Sequence, residues 1–259
     1  MSEYIFEKNA EDRELARLKL VEAAVDPETI SLLDRAGIAA GWTCVELGAG
    51  AGSIAEWMGR RVGTDGLVLA VDKKTLYLDR SSSPPYQVLN GDFLSLDIVP
   101  AVDLLHGRYV LVHNAQAQTM LEKVKSIVKP GGLVLLEEPD FTCAWRLNPS
   151  SDASQHRVNE AICRMFSNAG LDPSYGLHLP ERATEAGLTI EEVKATMHLC
   201  RGDQPISRLM AESALVLRKE YTCSGPASDE DVDRYVALAH DSAKWCLYYS
   251  TISMLARVS

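Results

Sequence analysis

The chain has 259 residues, of which 46% are hydrophobic and 24% are charged, a composition typical of a globular protein with a substantial buried core. Its formal net charge is −10. Affinity for nucleic acids and for anionic membrane surfaces depends on Lys and Arg side chains, which neutralise phosphate. We therefore expect neither a nucleic acid nor a membrane as a partner.

The N-terminal segment and the cysteines favour a cytoplasmic location. Residues 1–18 are acidic and lack the basic start and the apolar stretch of a secretory signal. No apolar run approaches the roughly 18–20 residues that a membrane span needs. The cysteines are scattered and form no C-x-x-C pair, so we expect reduced thiols rather than a disulfide framework or a zinc site.

Strand and helix patterns alternate through the first half of the chain. A helical pattern over residues 11–38 has apolar side chains three and four positions apart. The patterns that follow are a strand at 43–47, a helix at 53–61, strands at 67–71, 86–89 and 102–106, a helix at 118–128 and a strand at 133–136, entered through a turn at 129–132. This alternation predicts right-handed crossovers and a mostly parallel sheet covered by helices on both faces.

After Pro139 the helical patterns dominate. Segments at 155–169 and 179–186 precede a strand at 189–198, and helical patterns at 206–220 and 228–243 precede a last strand at 246–258. We expect a single domain over residues 1–259. Within it, residues 1–40 would form an N-terminal helical cover, and residues 203–244 would form a helical lid over the edge of the sheet that binds ligands.

A glycine-rich loop, Gly48-Ala-Gly-Ala-Gly52, lies between the first strand and the next helix. Glycines let the backbone turn tightly and approach a ligand, and a helix N-terminus offers unpaired N–H donors. A dinucleotide fingerprint has its third glycine at the sixth position, where this chain has Ser53. The loop therefore predicts a nucleotide site, and a nicotinamide oxidoreductase is the less favoured reading of it.

Acidic residues end the strands around this loop. Glu46 lies at the end of the first strand, Asp72 ends the second, and Asp92-Phe93 follows the third. A carboxylate at the end of the second strand can accept both hydroxyls of a ribose. Asp92 could accept from an exocyclic amine while the Phe93 ring lies on a purine. Each acid alone could be a solvated strand end, but their order and spacing indicate a nucleoside site.

The segments VELGAGAGS, VLAVDKK, NGDF, DLLHGRYVLVH and VKPGGLVLLEEPD resemble the successive motifs of class I S-adenosylmethionine-dependent methyltransferases. The resemblance is strongest to the bacterial small-molecule branch that includes quinone-biosynthesis and natural-product enzymes, and it covers about residues 1–140. It implies an α/β, Rossmann-like sheet of seven strands, mostly parallel, with an antiparallel last strand. It also implies S-adenosylmethionine as the cofactor and S-adenosylhomocysteine as its product.

The resemblance assigns roles in binding the cofactor to particular residues. Glu46 would hold the methionine ammonium, and Arg108 would contact the methionine end. Tyr4 and Arg17 would reach the carboxylate, unless they belong to a frayed terminus. The remaining residues would follow the cofactor from methionine to adenine: Gly48, Ala49 and Gly50 at the methionine and ribose portion, Asp72 at the ribose, and Lys73, Asp92 and Phe93 at the adenine.

The acceptor side is predicted from the same sheet edge. Methyl transfer needs placement and exclusion of water, and a general base adds about 10²–10⁴-fold where the acceptor must lose a proton. His113 follows the fourth strand and is the candidate catalytic base; a capping or packing role is the alternative. Glu138 and Tyr175 are candidates for substrate binding, although core packing is the favoured alternative for Tyr175. A metal site built from His113, Glu138 and Asp140 has no spacing that defines ligand geometry, so no metal is predicted.

These patterns predict transfer of a methyl group from S-adenosylmethionine to an O, N or C atom of a small-molecule acceptor, in secondary or quinone-type metabolism. Two alternatives stay open. The same cofactor could serve a rearrangement or cyclisation, because one fold hosts several chemistries. The chain could also be a non-catalytic scaffold subunit. A homodimer is one option for the oligomeric state.

Overall fold

The computed structural model describes residues 11–78, 83–98, 101–148 and 150–259. Within those residues the strands are β1 Thr43–Leu47, β2 Leu67–Asp72, β3 Gln87–Asn90, β4 Val102–Arg108, β5 Val128–Asp140, β6 Leu188–Arg201 and β7 Trp245–Val258. They form one sheet in the order β3-β2-β1-β4-β5-β7-β6. β1 to β5 pair in parallel, and β7 runs antiparallel to both β5 and β6. The predicted sheet, mostly parallel with a reversed last strand, is confirmed.

One strand is longer than its pattern predicts. The turn expected at 129–132 lies inside β5, whose pairing with β4 begins at Val102 and Val128 and then shifts register before Leu104 and Leu133. Gly131 has a φ of 78° within this irregular stretch. The chain therefore keeps its pairing through a bulge instead of leaving the sheet, and the extra residues continue the strand to Asp140.

The helices are α1 Glu11–Ala36, α2 Ser53–Val62, α3 Ala117–Ile127, α4 Thr142–Leu147, α5 Ala153–Asn168, α6 Tyr175–Glu185, α7 Pro205–Val216, α8 Arg218–Ser224 and α9 Asp229–His240. The short α4 has no counterpart in the sequence patterns, and the pattern at 206–220 divides into α7 and α8 at Leu217. No helix among the described residues is long and apolar enough to cross a membrane.

Side chains that alternate along the strands supply two separate cores. Cys44, Leu104 and Leu135 pack into one core together with α2, on one face of the sheet. Their strand neighbours Val45 and Leu105 belong to the larger core on the other face, which includes α3, α5 and α6. The period of two residues in a strand accounts for this division. Because β1 to β5 run in parallel, their carboxyl ends lie at one edge of the sheet.

The helices between β6 and β7 lie within the segment predicted as a lid, residues 203–244. α7 packs against α1 and α9, and α5 packs against α8 and α9. α7 begins with a capping box between Gln204 and Ser207, and Pro205 occupies the first turn, where its missing N–H has no helical partner to lose. This group of helices borders the same sheet edge as α1.

Candidate active site

A cavity of about 1380 Å³ lies at the carboxyl ends of the parallel strands. One half is bounded by the glycine loop and the ends of β1, β2 and β4, and the other by α5, α7, α8 and β7. A pocket of roughly 300–1,000 Å³ holds one drug-sized ligand. The volume is therefore sufficient for a nucleoside ligand and a second small molecule side by side.

The glycine loop turns through left-handed backbone beside this cavity. Gly48, Gly50 and Gly52 have φ values of 70°, 57° and 89°. A Cβ on Gly48 would lie 2.3 Å from Cγ2 of Val110, so no larger residue fits there without a shift. The loop is held by Asp72, whose Oδ2 accepts the Gly50 N–H at 2.8 Å. Burial raises the pKa of Asp72, and the backbone hydrogen bonds from Lys74, Gly50 and Lys73 oppose that rise.

The adenine half of the predicted site is formed by the residues after β2 and β3. The Lys73 ammonium lies 2.9 Å from Asp92. Burial raises the pKa of Asp92, but the hydrogen bond and charge of Lys73 outweigh it and the net shift is downward. Phe93 lines the cavity from a buried position, with the Lys123 Nζ 5.2 Å from the centre of its ring.

The methionine end carries two arginines held by acids of α1. Arg17 donates to both oxygens of Glu14, at 2.9 and 2.7 Å. Arg108 donates to Asp26 and to Thr29, each at 2.8 Å, and so joins β4 to α1. Both arginines line the cavity.

The predicted cofactor residues that the structure describes are brought together around this one cavity, namely Arg17, Glu46, Gly48, Ala49, Gly50, Asp72, Lys73, Asp92, Phe93 and Arg108. Tyr4 lies outside the described residues.

A buried histidine for which the sequence predicted no role lies next to the cavity residue Glu46. His106 is fully buried on β4, with Glu46 on β1 at one ring nitrogen and Glu137 on β5 at the other. A signal for it exists in the sequence, because His106 interrupts the apolar run of a strand that is buried on both faces.

His113 lines the cavity at the end of a short turn of 3₁₀ helix, Leu111–His113. Its ring centre is 5.6 Å from that of Phe166. Burial, followed by the charge of Arg17, lowers the pKa of His113 to about 3. A base with so low a pKa holds a proton weakly near neutral pH, so this environment favours the packing alternative over general-base catalysis.

Glu138 was predicted to bind the substrate, but it is not among the described residues that line the cavity. It is fully buried, and its Oε1 accepts the N–H of Val110 and Leu111 at 3.1 and 2.8 Å, while Oε2 accepts that of Val112 at 3.1 Å. Among the described lining residues, β5 contributes Pro139 rather than Glu138. The substrate-binding prediction for Glu138 is therefore corrected: the carboxyl group supports, from behind, the turn that carries His113.

Tyr175 also lies elsewhere. It is buried at the start of α6, with the Arg182 guanidinium 4.9 Å from its ring centre, and it lines a separate pocket of about 130 Å³. α6 packs on β5, β6 and β7, which turns this residue away from the large cavity. Tyr175 is not among the described residues that line the large cavity, so its predicted contact with the substrate is corrected.

The half of the cavity away from the glycine loop is aromatic. Phe141 stacks on Phe166 with ring centres 5.1 Å apart and lies 5.7 Å from Tyr249. The Tyr109 hydroxyl is hydrogen-bonded to Thr251 at 2.5 Å, and Tyr109 has a φ of 58°. A bulky residue in left-handed backbone is uncommon and occurs at functional sites more often than elsewhere.

The part of the chain that carries the glycine loop matches a known protein family. Residues 45–136, from β1 into β5, match the protein family described as a methyltransferase domain. Over these residues the chain therefore contains a methyltransferase domain, and S-adenosylmethionine is the methyl donor to test against its site. The residues present fit that molecule: Asp72 and Asp92 supply acceptors for hydroxyl and amine donors, Gly48 permits close approach, and Glu46 offers a carboxylate for an ammonium.

The relatives found by sequence are distant. Methyltransferase str2 of Strobilurus tenacellus is 27% identical over 178 residues, which are 66% of this chain and 60% of that protein. An uncharacterized 37.1 kDa protein in transposon TN4556 of Streptomyces fradiae is 22% identical over 202 residues, or 76% of this chain and 57% of that protein. The chain thus spans less than two thirds of the length of these relatives.

A solved structure shows the same fold over nearly the whole chain. Phosphoethanolamine N-methyltransferase 2 of Haemonchus contortus, in complex with phosphomonomethylethanolamine and S-adenosylhomocysteine, superposes with a TM-score of 0.62. It is 13% identical, and the match covers 99% of this chain and 59% of that one. At this identity the likeness concerns the fold alone.

Proposed function

We propose that this protein transfers the methyl group of S-adenosylmethionine to an O, N or C atom of a small, largely apolar and aromatic acceptor. Such acceptors are typical of quinone-type and secondary metabolism. The observation that carries the proposal is the division of the large cavity into a charged half beside the glycine loop and an uncharged, aromatic half beyond it.

The distribution of charge around the cavity supports the class of acceptor. The charged lining residues come from α1 and from the ends or the following loops of β1, β2, β3 and β4. In contrast, every lining residue contributed by the described parts of α5, α7, α8 and β7 is uncharged: Ile162, Met165, Phe166, Leu209, Met210, Ser213, Tyr221 and Tyr249. A charged acceptor would lose its hydration there without gaining a partner, whereas an aromatic one gains favourable contacts.

The arrangement also suits the chemistry of the reaction. The donor carries an activated methyl group, so the protein contributes by holding donor and acceptor in line and by excluding water; orientation of this kind supplies roughly 7–11 kcal/mol of a barrier. α7 and α8 border the aromatic half with the buried side chains of Leu209, Met210 and Tyr221. Tyr109 and Tyr249 place hydroxyl groups at this wall, where they can orient an oxygen or nitrogen of the acceptor.

Calorimetry with S-adenosylmethionine and S-adenosylhomocysteine tests the first half of the proposal. Asp72→Ala removes both the ribose acceptor and the anchor of the Gly50 N–H, so binding should collapse, while Asp65→Ala in the exposed turn before β2 should bind as the wild type does. A folded wild-type protein that binds neither ligand would refute the proposal.

A panel of acceptors tests the second half. Phenols, quinols, aromatic amines and, as charged counterparts, small aliphatic amines would be incubated with the cofactor, and methylated products detected by mass spectrometry. We expect turnover within the aromatic set. Turnover restricted to charged aliphatic acceptors would contradict the assignment of the acceptor class while leaving the cofactor assignment intact.

A further inference from the structure

Three charged side chains meet below the glycine loop on three adjacent strands. The His106 Nδ1 on β4 lies 2.6 Å from the Glu46 Oε2 on β1, and its Nε2 lies 3.2 Å from the Glu137 Oε2 on β5. The parallel register produces this contact, because Glu46 is paired with His106 across β1 and β4. All three side chains are at least 95% buried, so their mutual charges are not screened by water.

The geometry suits a charged histidine. Each ring nitrogen lies within hydrogen-bond distance of a glutamate oxygen, and an imidazolium satisfies both oxygens by donating from both nitrogens. Burial lowers the pKa of His106, but the two glutamates outweigh it and raise that pKa to about 9. Two carboxylates and one imidazolium leave one excess negative charge among side chains that are at least 95% buried.

The excess charge is available to a ligand through one residue. Glu137 is enclosed, since Thr29 donates to its Oε2 at 2.6 Å and Ser253 donates to its Oε1 at 2.9 Å. Of the three side chains, all of which the structure describes, only Glu46 lines the cavity. A cation entering the methionine end of the cavity therefore meets the charge at Glu46.

We infer that His106 is a positioning residue for the cofactor: anchored by Glu137, it keeps the buried Glu46 carboxylate ionised and aimed at the cavity, where Glu46 binds the ammonium group of the cofactor's methionine portion. This role rests on the proposed function. Without a neighbouring cation a carboxyl group at this depth takes up a proton and becomes a poor partner for an ammonium.

Among the described groups around the three side chains, Glu138 titrates in the same range, because burial raises its pKa to about 7. It is present in every protein that the test compares. Burial raises the pKa of Glu46, and His106, followed by Arg108, opposes that rise. Arg108 is paired with Asp26 on α1. Burial lowers the pKa of His198, on β6, to about 4 and raises that of Tyr109 to about 12. Between those limits His106, Glu46 and Glu138 are the groups whose protonation the test must separate, and only the first two change with His106→Gln.

The test compares two ligands that differ in the ammonium group. S-adenosylhomocysteine carries the amino acid portion, and 5′-methylthioadenosine retains the nucleoside and thioether without it. Their dissociation constants would be measured by calorimetry for wild type, His106→Gln and His240→Gln, the last an exposed histidine at the end of α9 as a matched control. Measurements at about pH 6, 7.5 and 9 bracket the ordinary and raised pKa values of the histidine.

We expect His106→Gln to weaken S-adenosylhomocysteine by about tenfold or more at pH 6, with recovery as pH rises and Glu46 ionises. Wild type and His240→Gln should bind it evenly up to the pH at which His106 loses its proton. All three proteins should bind 5′-methylthioadenosine alike. An equal loss for both ligands, or a loss for S-adenosylhomocysteine that does not depend on pH, would overturn the inference.

A second variant keeps the test decisive if His106→Gln does not fold. Glu137→Gln removes one of the two carboxylates that hold the imidazolium, so the decline in wild-type affinity at high pH should move to lower pH; an unchanged pH profile would overturn the inference. Wild-type protein that is folded but binds no S-adenosylhomocysteine would overturn the proposed function as well. Normal wild-type binding with pH-independent variants overturns the inference alone.

Discussion

Replacing Glu138 by Gln distinguishes a support for the cavity wall from a substrate ligand. The carboxyl group accepts three backbone N–H groups, from Val110, Leu111 and Val112. An amide can keep its oxygen at the position that accepts the first two, but its NH₂ then faces the third donor. One hydrogen bond is lost and a buried N–H is orphaned, which costs about 1–3 kcal/mol of unfolding free energy.

The unfolding free energy of the wild-type protein itself depends on pH. Burial raises the pKa of Glu138 from 4.5 to about 7, so the folded state binds this proton more tightly than the unfolded chain does. The stability linked to it is complete below about pH 4.5 and is lost as pH rises through about 7, a change on the order of 3 kcal/mol. Glu138→Gln has no such dependence, so the variant should be less stable than wild type near pH 5 and about equal to it, or more stable, near pH 8.

Urea unfolding of wild type, Glu138→Gln and the exposed control Glu185→Gln at those two pH values measures the difference directly. The same stability difference at both pH values would refute the reasoning from the buried carboxyl group. Steady-state kinetics provides the other readout. A raised KM for the acceptor in Glu138→Gln, with unchanged stability at both pH values, would restore Glu138 as a substrate ligand.

Three further substitutions address the rest of the site. Gly48→Ala should weaken the binding of S-adenosylmethionine by more than tenfold, because its Cβ would lie 2.3 Å from a Val110 methyl group. Gly63→Ala has a similar φ but nothing within 4 Å, so it should bind the cofactor normally. Equal affinities of the two variants would contradict this reasoning. Phe141→Ala should raise the KM of an aromatic acceptor roughly tenfold and leave the calorimetric cofactor affinity unchanged, and a change in the latter alone would oppose the division of the cavity. His113→Gln should lower kcat by less than tenfold, since burial and Arg17 lower the pKa of this histidine to about 3; a loss of about 10²–10⁴-fold in steady-state assays would establish it as the general base.

The cofactor half of the site could be predicted from the sequence because it depends on local relations. The glycine loop follows its strand directly, and Asp72 and Asp92 each end or follow a strand of the same parallel sheet. Carboxyl ends of parallel strands share one edge, so residues identified by their place after a strand were certain to meet once the sheet order was that of the resembling family. The described members of that predicted set do line one cavity.

The acceptor half depended on contacts between distant segments. Phe141, Phe166 and Tyr249 come from three separate elements, and no periodicity in any one of them indicates that their rings pack together. The position of Tyr175 was decided likewise by how α6 packs against the sheet. Such contacts follow from tertiary packing rather than from local pattern. The residues of the acceptor half could therefore not be predicted from the sequence as well as those of the cofactor half.

Glu137 and Glu138 show the division most clearly. The sequence by itself determined that two acids end a buried strand at the ligand-binding edge. Only the tertiary structure decided that Glu137 meets His106 while Glu138 supports the turn after β4. The physical reason is that neighbouring side chains in a strand point to opposite faces, so the partner of each acid depends on strand register and on what covers each face of the sheet.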